Sequence, residues 1–181
     1  MKYIALLRGI NVGRHKRIKM ADLTNIFESL GFEGVKTYLQ SGNVAFESET
    51  ADESKIRGNI ESKISETCGF HVDIVLRTGD EWESIFSSNP FIKDADIEAG
   101  KLHVTFLSDI PDEKAVFNLD INKDENEKFE VSGREIYLYC PNGYGRTKLK
   151  NDLFERKLKR VATTRNWKTV TKLLEMSKSE K

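Results

Sequence analysis

The feature that most constrains the fold is the order in which strand-like and helix-like patterns follow one another in residues 1–77. A near-continuous apolar run that ends at Arg8 and three later stretches of alternating apolar residues predict four strands. Between them, apolar residues at helical spacing predict two amphipathic helices, one beginning near Met20 and one around Ile60. The order is therefore β-α-β-β-α-β, which is that of a ferredoxin-like (split βαβ) unit.

The second half, residues 78–181, echoes this order without completing it. A short helix around Trp82 precedes a strand at 102–106 and a second short helix, and a hairpin then turns at Ser132-Gly133. Two helices are predicted to follow, and no eighth strand. We therefore predict an α+β protein with two ferredoxin-like (alpha-beta plait) halves, in which helices replace the fourth strand of the second half.

The closing segment is interpreted as a helix because of its cap and its spacing. Thr163 and Thr164 precede Asn166, and threonines in that position most often cap a helix. Beyond them, the spacing i, i+3, i+4, i+7 of an amphipathic helix is matched by Trp167, Val170, Thr171 and Leu174. The tail from Ser177 is expected to fray.

Composition and cysteine usage are those of an ordinary intracellular protein. Hydrophobic residues make up 38% of the chain and charged residues 32%. The first apolar run, Tyr3 to Leu7, is too short for a secretory signal and no later run approaches a membrane span, so we expect a cytoplasmic protein without a membrane partner. Cys68 and Cys140 lie far apart and have no metal-binding spacing. We therefore expect two buried or half-buried thiols, no metal and no cofactor.

The net charge is zero, but the charges are unevenly distributed. Residues 2–19 contain six Lys or Arg and no acidic residue, and residues 141–172 contain ten against Asp152 and Glu155. Residues 20–140 carry the compensating net charge of -14. Two interpretations stay open: the basic ends pack beside the acidic middle, or they create a local positive field for a phosphate-bearing ligand.

Four short polar clusters follow apolar stretches: RGINVG at 8–13, QSGN at 40–43, PNGYGRTK at 141–148 and TTRNW at 163–167. Their mixture of Gly, Arg, Asn, Thr and Gln offers backbone and side-chain donors together, which is the chemistry of an anion or nucleotide site. In a ferredoxin-like unit the end of strand 1, the hairpin of strands 2 and 3 and the start of strand 4 share one rim of the sheet. The candidate ligand-binding residues at this rim are Arg8, Asn11, Arg14, Gln40, Ser41 and Asn43, with His71 nearby.

The second candidate set lies near the C-terminus and consists of Tyr144, Arg146, Lys148, Arg165 and Asn166. The glycines around Tyr144 lack the spacing of a phosphate-binding P-loop, so no nucleotide triphosphatase is predicted. A helix that begins near Lys148 can still hold an anion at its N-terminus. Arg165 in the first turn of the closing helix is unfavourable with respect to the helix dipole unless an anion is nearby.

Each cluster also has a purely structural explanation. Gly42 can serve only a tight turn and Asn11 only a loop. If the basic C-terminal region packs against the acidic middle, Trp167 and Val170 are core residues, and Arg165 faces carboxylates or backbone carbonyls. The protein is then an interaction module with little net field for an anion.

The sequence contains no recognised catalytic constellation, so the catalytic residues are unknown. His15, His71 and His103 have no metal-ligand spacing, and His103 is expected to point outward from its strand. The enzyme alternative uses His71 or Tyr144 as acid or base and arginines to stabilise charge. The aromatic strand at 137–139 lacks the RNP1 pattern, which makes nucleic acid a less favoured partner than a small anionic molecule or nucleotide.

The motifs YIALLRGINVG, YLQSGNVAF, NGYGRTKL and ATTRNWKTVTKLLEM occur in this order along nearly the whole chain. In this combination the sequence resembles the bacterial family called domain of unknown function 1697. The resemblance implies two alpha-beta plait units and no particular reaction, because the family is uncharacterised. Members typically have a second glycine after RGINVG, where this chain has Arg14, which makes the loop bulkier and more basic here.

The leading hypothesis is a protein that binds a phosphate-bearing or otherwise anionic molecule at the rim formed by residues 8–19 and 40–43. An enzyme of unknown reaction and a protein interaction module are the alternatives. The sequence contains no signal for an oligomeric state.

Overall fold

The computed structural model describes residues 1–178, which form two four-stranded antiparallel sheets with helices on each. Two compact units are present: unit 1 comprises Met1–Ser84 and the chain from Lys172, and unit 2 comprises Ile85–Thr171. The predicted α+β class is confirmed, whereas the domain boundary after residue 77 stays a prediction. Within residues 1–178, no helix is both long and apolar enough to cross a membrane.

Unit 1 has the element order that its sequence predicts. Its strands are β1 (Lys2–Leu7), β2 (Glu33–Thr37), β3 (Asn43–Glu47) and β4 (Ile74–Thr78), and its helices are α1 (Met20–Ser29) and α2 (Glu53–Cys68). The strands lie in the order β2-β3-β1-β4, with every neighbouring pair antiparallel. This split βαβ arrangement places the end of β1 next to the β2–β3 hairpin and the start of β4.

The core of unit 1 explains why these segments fold as they do. Tyr3 to Leu7 are almost completely buried, as expected for a central strand with a continuous apolar run. The apolar sides of α1 and α2 pack on the sheet. Aromatic rings fill this layer, where Phe46 stacks on Tyr3 at 5.6 Å between ring centroids and meets Phe27 edge-on at 5.2 Å.

A third helix, α3 (Gly79–Ser87), has residues in both units. Unit 2 then contains β5 (Leu102–Leu107), α4 (Glu113–Phe117), β6 (Lys128–Ser132), β7 (Glu135–Tyr139), α5 (Asn151–Leu158) and β8 (Ala162–Asn166). Its strands lie in the order β6-β7-β5-β8, again antiparallel throughout. The last helix is α6 (Trp167–Lys178), which also has residues in both units.

The expectation that helices replace the fourth strand of the second half is wrong. β8 pairs antiparallel with β5, with Thr164 opposite Thr105. Hydrophobic alternation did not reveal this strand because two of its buried positions are Thr163 and Arg165 instead of aliphatic residues. Threonine is β-branched and fits a pleated, half-buried surface, so the segment is still compatible with a strand.

The cap of the last helix lies further along the chain than predicted. Asn166 Oδ1 accepts a hydrogen bond of 2.8 Å from the N–H of Thr169, as an N-cap side chain does. Arg165 therefore belongs to a strand and not to the first turn of a helix, so the helix-dipole argument for an anion beside it does not apply. Ser177 is helical and not frayed, because α6 extends to Lys178; residues 179–181 of that predicted tail lie outside the described residues.

The core of unit 2 lies between its sheet and α5, whose Phe154 and Leu158 are buried in it. Cys140 is also buried in this core, and Cys68 on α2 is half-buried. Both are free thiols, as the sequence predicts. Burial raises the pKa of Cys140 to about 11, so this thiol stays protonated at neutral pH.

Candidate functional site

In unit 1, backbone hydrogen bonds connect the chain segments that are predicted to share one rim of the sheet. The N–H of Leu7 donates to the carbonyl of Gly42 at 2.9 Å, and the N–H of Arg8 donates to the carbonyl of Asp73 at 3.0 Å. These bonds join the end of β1 to the β2–β3 hairpin and to the segment before β4. The structure therefore brings together the three chain segments that the topology predicts to be neighbours.

Asn11 closes the loop that follows β1. Its Oδ1 accepts from the N–H of Ile18 at 2.9 Å, and its Nδ2 donates to the carbonyls of Ile18 at 2.9 Å and Gln40 at 2.7 Å. Asn11 has φ 55°, a left-handed conformation that asparagine tolerates better than most residues. Its amide thus holds the loop in shape and attaches it to the hairpin, which leaves little capacity for a ligand.

The hairpin turn depends on Gly42 and Asn43. Asn43 is completely buried, and its Nδ2 donates to the carbonyl of Tyr38 at 2.6 Å and to Ser41 Oγ at 3.1 Å. Gly42 has φ 80°, and a Cβ there would lie 2.7 Å from Ile10 Cδ1, so only glycine fits. The amide of Asn43 is used inside the turn, whereas Ser41 is exposed.

Residues 12–19 form an exposed segment that we call the basic loop, although Ile18 within it is buried. Its exposed cations are Arg14, Lys16, Arg17 and Lys19. None of these four side chains makes an ion pair with a residue of the described chain. Of the other predicted residues, Gln40 is exposed in the hairpin and Arg8 is half-buried at the end of β1. Unpaired positive charge is therefore concentrated on one ordered loop.

His71 lies near the same edge of the sheet, on the surface. Its Nε2 is 3.0 Å from Asp73 Oδ1, and both side chains are well exposed at 59% and 42%. An exposed pair of this kind contributes little to stability. The role of His71 as an acid or base stays a prediction.

In unit 2, Tyr144 is half-buried and belongs to a chain of polar contacts that the sequence did not reveal. Its ring stacks on His103 at 4.9 Å between centroids, and its hydroxyl hydrogen-bonds with Thr164. Thr164 Oγ1 donates to Asn151 Oδ1 at 2.6 Å, so Thr105 Oγ1, 2.7 Å away, is the donor to Thr164. Burial is the main reason that the pKa of Tyr144 is raised, and its hydroxyl is protonated at neutral pH.

His103, which is expected to point outward from its strand, is not fully exposed. It is half-buried against Tyr144, and its Nδ1 is 3.3 Å from the carbonyl of Lys101. Burial lowers the pKa of His103 below its ordinary value, and the Lys101 carbonyl opposes that shift. The neutral imidazole is therefore favoured, which suits a ring stacked on a tyrosine.

Arg165 is only 7% exposed, and it has partners within the protein. Its Nη1 donates to Thr163 Oγ1 at 2.8 Å and to the carbonyl of Thr164 at 2.9 Å. Burial lowers the pKa of Arg165 to about 10, so it is still a cation at neutral pH. The bond to a backbone carbonyl agrees with the interpretation in which this arginine is structural, and Asn166 is likewise engaged as the cap of α6.

The candidate set near the C-terminus is thus divided between core and surface. Arg146 and Lys148 are exposed on either side of the buried Thr147, whose Oγ1 accepts from the N–H of Leu149 at 3.0 Å. The side chain of Arg165 is buried, and that of Tyr144 is half-buried. Among residues 1–178, there is no group of three or more His, Cys, Asp or Glu side chains that could hold a metal ion.

The two four-stranded antiparallel sheets, each with helices, define an α+β protein. Sequence comparison identifies the family. A model described as "Protein of unknown function (DUF1697)" matches residues 1–137, and the chain belongs to this family. Among solved structures it is similar to the conserved bacterial protein SP0830 from Streptococcus pneumoniae, with 24% identity, a TM-score of 0.77 and 98% of each chain covered. That likeness shows the fold alone. No curated protein matches the chain.

Proposed function

We propose that this protein binds a phosphate-bearing or otherwise anionic molecule at the basic loop of unit 1, beside the exposed Gln40 and Ser41 of the hairpin. The observation that supports this most is the set of four exposed cations without an ion pair. Protein surfaces usually intersperse both signs of charge, whereas residues 2–19 contain no acidic residue. The local potential of the loop is therefore positive and attracts anions.

The hydrogen bonds of Asn11 favour binding because they order the loop before a ligand arrives. A single cation 4 Å from a unit negative charge gains only about 1 kcal/mol in water. Ordering a flexible segment would cancel that gain, since fixing the backbone of one residue costs roughly 1–2 kcal/mol. A loop already closed by Asn11 presents Arg14 and Arg17 with less entropy left to lose.

The residue types in the basic loop indicate the class of ligand. Guanidinium groups such as those of Arg14 and Arg17 form paired hydrogen bonds with phosphate oxygens, and Lys16 and Lys19 add point charges. These contacts select a phosphate group and not the rest of the molecule. Nucleotides, phosphosugars and short oligonucleotides are therefore the candidates, and their affinity should fall as salt is added.

The test is a calorimetric titration and thermal-shift screen with these three classes of anion. We expect Arg14→Ala/Arg17→Ala to weaken binding about tenfold or more and to leave the Tm of the free protein unchanged, because both side chains are exposed. The matched control is Lys93→Ala/Lys168→Ala, which removes the same charge from exposed positions of unit 2 and should bind like the wild type. If no anion raises the Tm, or if the control weakens binding equally, the proposal fails.

A further inference from the structure

Unit 2 contains a groove of about 600 Å³. It lies between residues 120–122, which follow α4, and one side of α5. Small-molecule sites in proteins commonly have volumes of about 300 to 1,000 Å³. The groove is therefore large enough for a molecule the size of a nucleotide.

Four cations line this groove, namely Lys148, Lys150, Arg156 and Lys157. The helical period of α5 explains the position of two of them, because Phe154 and Leu158 turn into the core and leave Arg156 and Lys157 exposed. None of the four forms an ion pair within the described chain, and Lys150 Nζ donates to a backbone carbonyl at 3.2 Å. The cations of the groove are therefore not held in ion pairs within the described chain.

The rest of the lining is apolar or acidic, apart from the neutral Asn122. Ile121 packs against the core of unit 2, and Leu153 is half-buried beside it. Asp120 and Asp152 reduce the net charge of the lining to +2. A bare inorganic anion would not use the apolar surface. The lining therefore suits a ligand with one anionic group and one apolar part.

We propose that this groove binds an organic phosphate of nucleotide size, with its phosphate among Lys148, Arg156 and Lys157 and its ring against Ile121 and Leu153. The inference goes beyond the proposed function because it concerns a separate site in the other unit with a different selectivity. At the basic loop, binding is proposed to depend on the cations, which select a phosphate group. The groove also offers apolar contacts, so it selects the organic group that carries the phosphate.

The experiment uses the full chain with adenosine monophosphate and inorganic phosphate as probes, at matched ionic strength. Calorimetry gives the affinities, and methyl NMR signals of Ile121 and Leu153 report on the groove itself. We expect the nucleotide to shift both signals and to bind at least about tenfold more tightly than inorganic phosphate. Arg156→Ala/Lys157→Ala should weaken nucleotide binding about tenfold or more. Leu153→Gln should weaken the nucleotide alone and leave inorganic phosphate unaffected.

Two matched variants separate this site from other sources of binding. Lys93→Ala/Lys168→Ala removes equal charge elsewhere in unit 2 and should leave the methyl shifts as in the wild type. Arg14→Ala/Arg17→Ala tests the basic loop and should also leave the methyl shifts unchanged. The proposal for the basic loop and the proposal for the groove can therefore be contradicted independently. The inference is overturned if inorganic phosphate binds as tightly as the nucleotide, if Leu153→Gln has no effect, or if the signals of Ile121 and Leu153 do not move.

Discussion

In the basic loop of unit 1, Arg14 and Arg17 are exposed and make no ion pair within the described chain, whereas Arg165 of unit 2 is buried and donates to Thr163 and to a backbone carbonyl. The basic loop together with its neighbours Asn11 and Gln40, and the segment at 163–167, both contain the Arg, Asn and Thr or Gln residues that are typical of ligand sites. Residue type alone therefore does not identify a site. Burial and internal hydrogen-bond partners decide whether a cation is available to a ligand.

The asparagines of the two regions, Asn11 and Asn166, both use their side-chain amides within the protein. Asn11 fastens a loop with three hydrogen bonds, and Asn166 caps a helix. Both amides are used by the backbone, so they contribute to binding only by shaping the surface. Substituting the buried arginine should therefore affect stability, and substituting the exposed arginines should affect affinity.

The largest effect is expected for Arg165→Ala, which tests whether the buried arginine stabilises the fold. The variant removes a buried guanidinium and leaves the hydroxyl of Thr163 and the carbonyl of Thr164 without this donor. We expect a loss of about 3 kcal/mol in the free energy of unfolding. The matched variant Arg14→Ala should change it by less than about 0.5 kcal/mol, because its side chain is exposed.

Urea unfolding, monitored by circular dichroism, gives the free energy of unfolding of both variants. A loss below about 1 kcal/mol for Arg165→Ala would mean that its hydrogen bonds contribute no more than an average surface contact. The buried Arg165 would then not be important for stability, and burial would not separate it from the exposed Arg14.

A smaller effect is expected for Asn11→Ala, which tests how the exposed side of the comparison is organised. Three hydrogen bonds are lost and alanine is strained at φ 55°, so we expect about 2 kcal/mol of destabilisation. Anion affinity should also fall although every cation is retained, because the basic loop is no longer ordered in the free protein.

The control is Gln40→Ala, which keeps the carbonyl that Asn11 uses and removes only an exposed side chain. Its stability should be that of the wild type, as measured by urea unfolding. If Asn11→Ala binds anions as tightly as the wild type does, preorganisation of the loop is not part of the binding free energy.

Unit 1 could be predicted from the sequence because its core residues repeat with the period of the element that holds them. Ile56, Ile60 and Ile64, for example, mark one side of α2. β8 could not be predicted in this way, since Thr163 and Arg165 occupy buried positions and no aliphatic alternation results. The strand is revealed by its partner β5, which lies more than fifty residues earlier in the chain.

The candidate site was predictable in its location but not in the roles of its residues. Topology alone places Arg8, the 40–43 hairpin and His71 near one edge of the sheet. No local pattern shows that Asn11 bonds to both Ile18 and Gln40, because those partners are brought to it by the tertiary fold. The stack of His103 on Tyr144 was missed for the same reason.

The smallest effect is expected from pH, and it distinguishes the stacked His103 from the exposed His71. Burial lowers the pKa of His103 below its ordinary 6.5, so the unfolded chain binds more protons than the folded protein just below that pH. Stability therefore falls as the pH is lowered through 6.5 and recovers as it is raised. His103→Phe keeps a ring against Tyr144 without a titrating group, so part of the loss of stability between about pH 7.5 and pH 5.5 should disappear.

His71→Gln serves as the control, and urea unfolding at both pH values measures the difference in the free energy of unfolding. A pH dependence that His103→Phe leaves intact would show that the stacked imidazole is as easily protonated in the folded protein as in the unfolded chain.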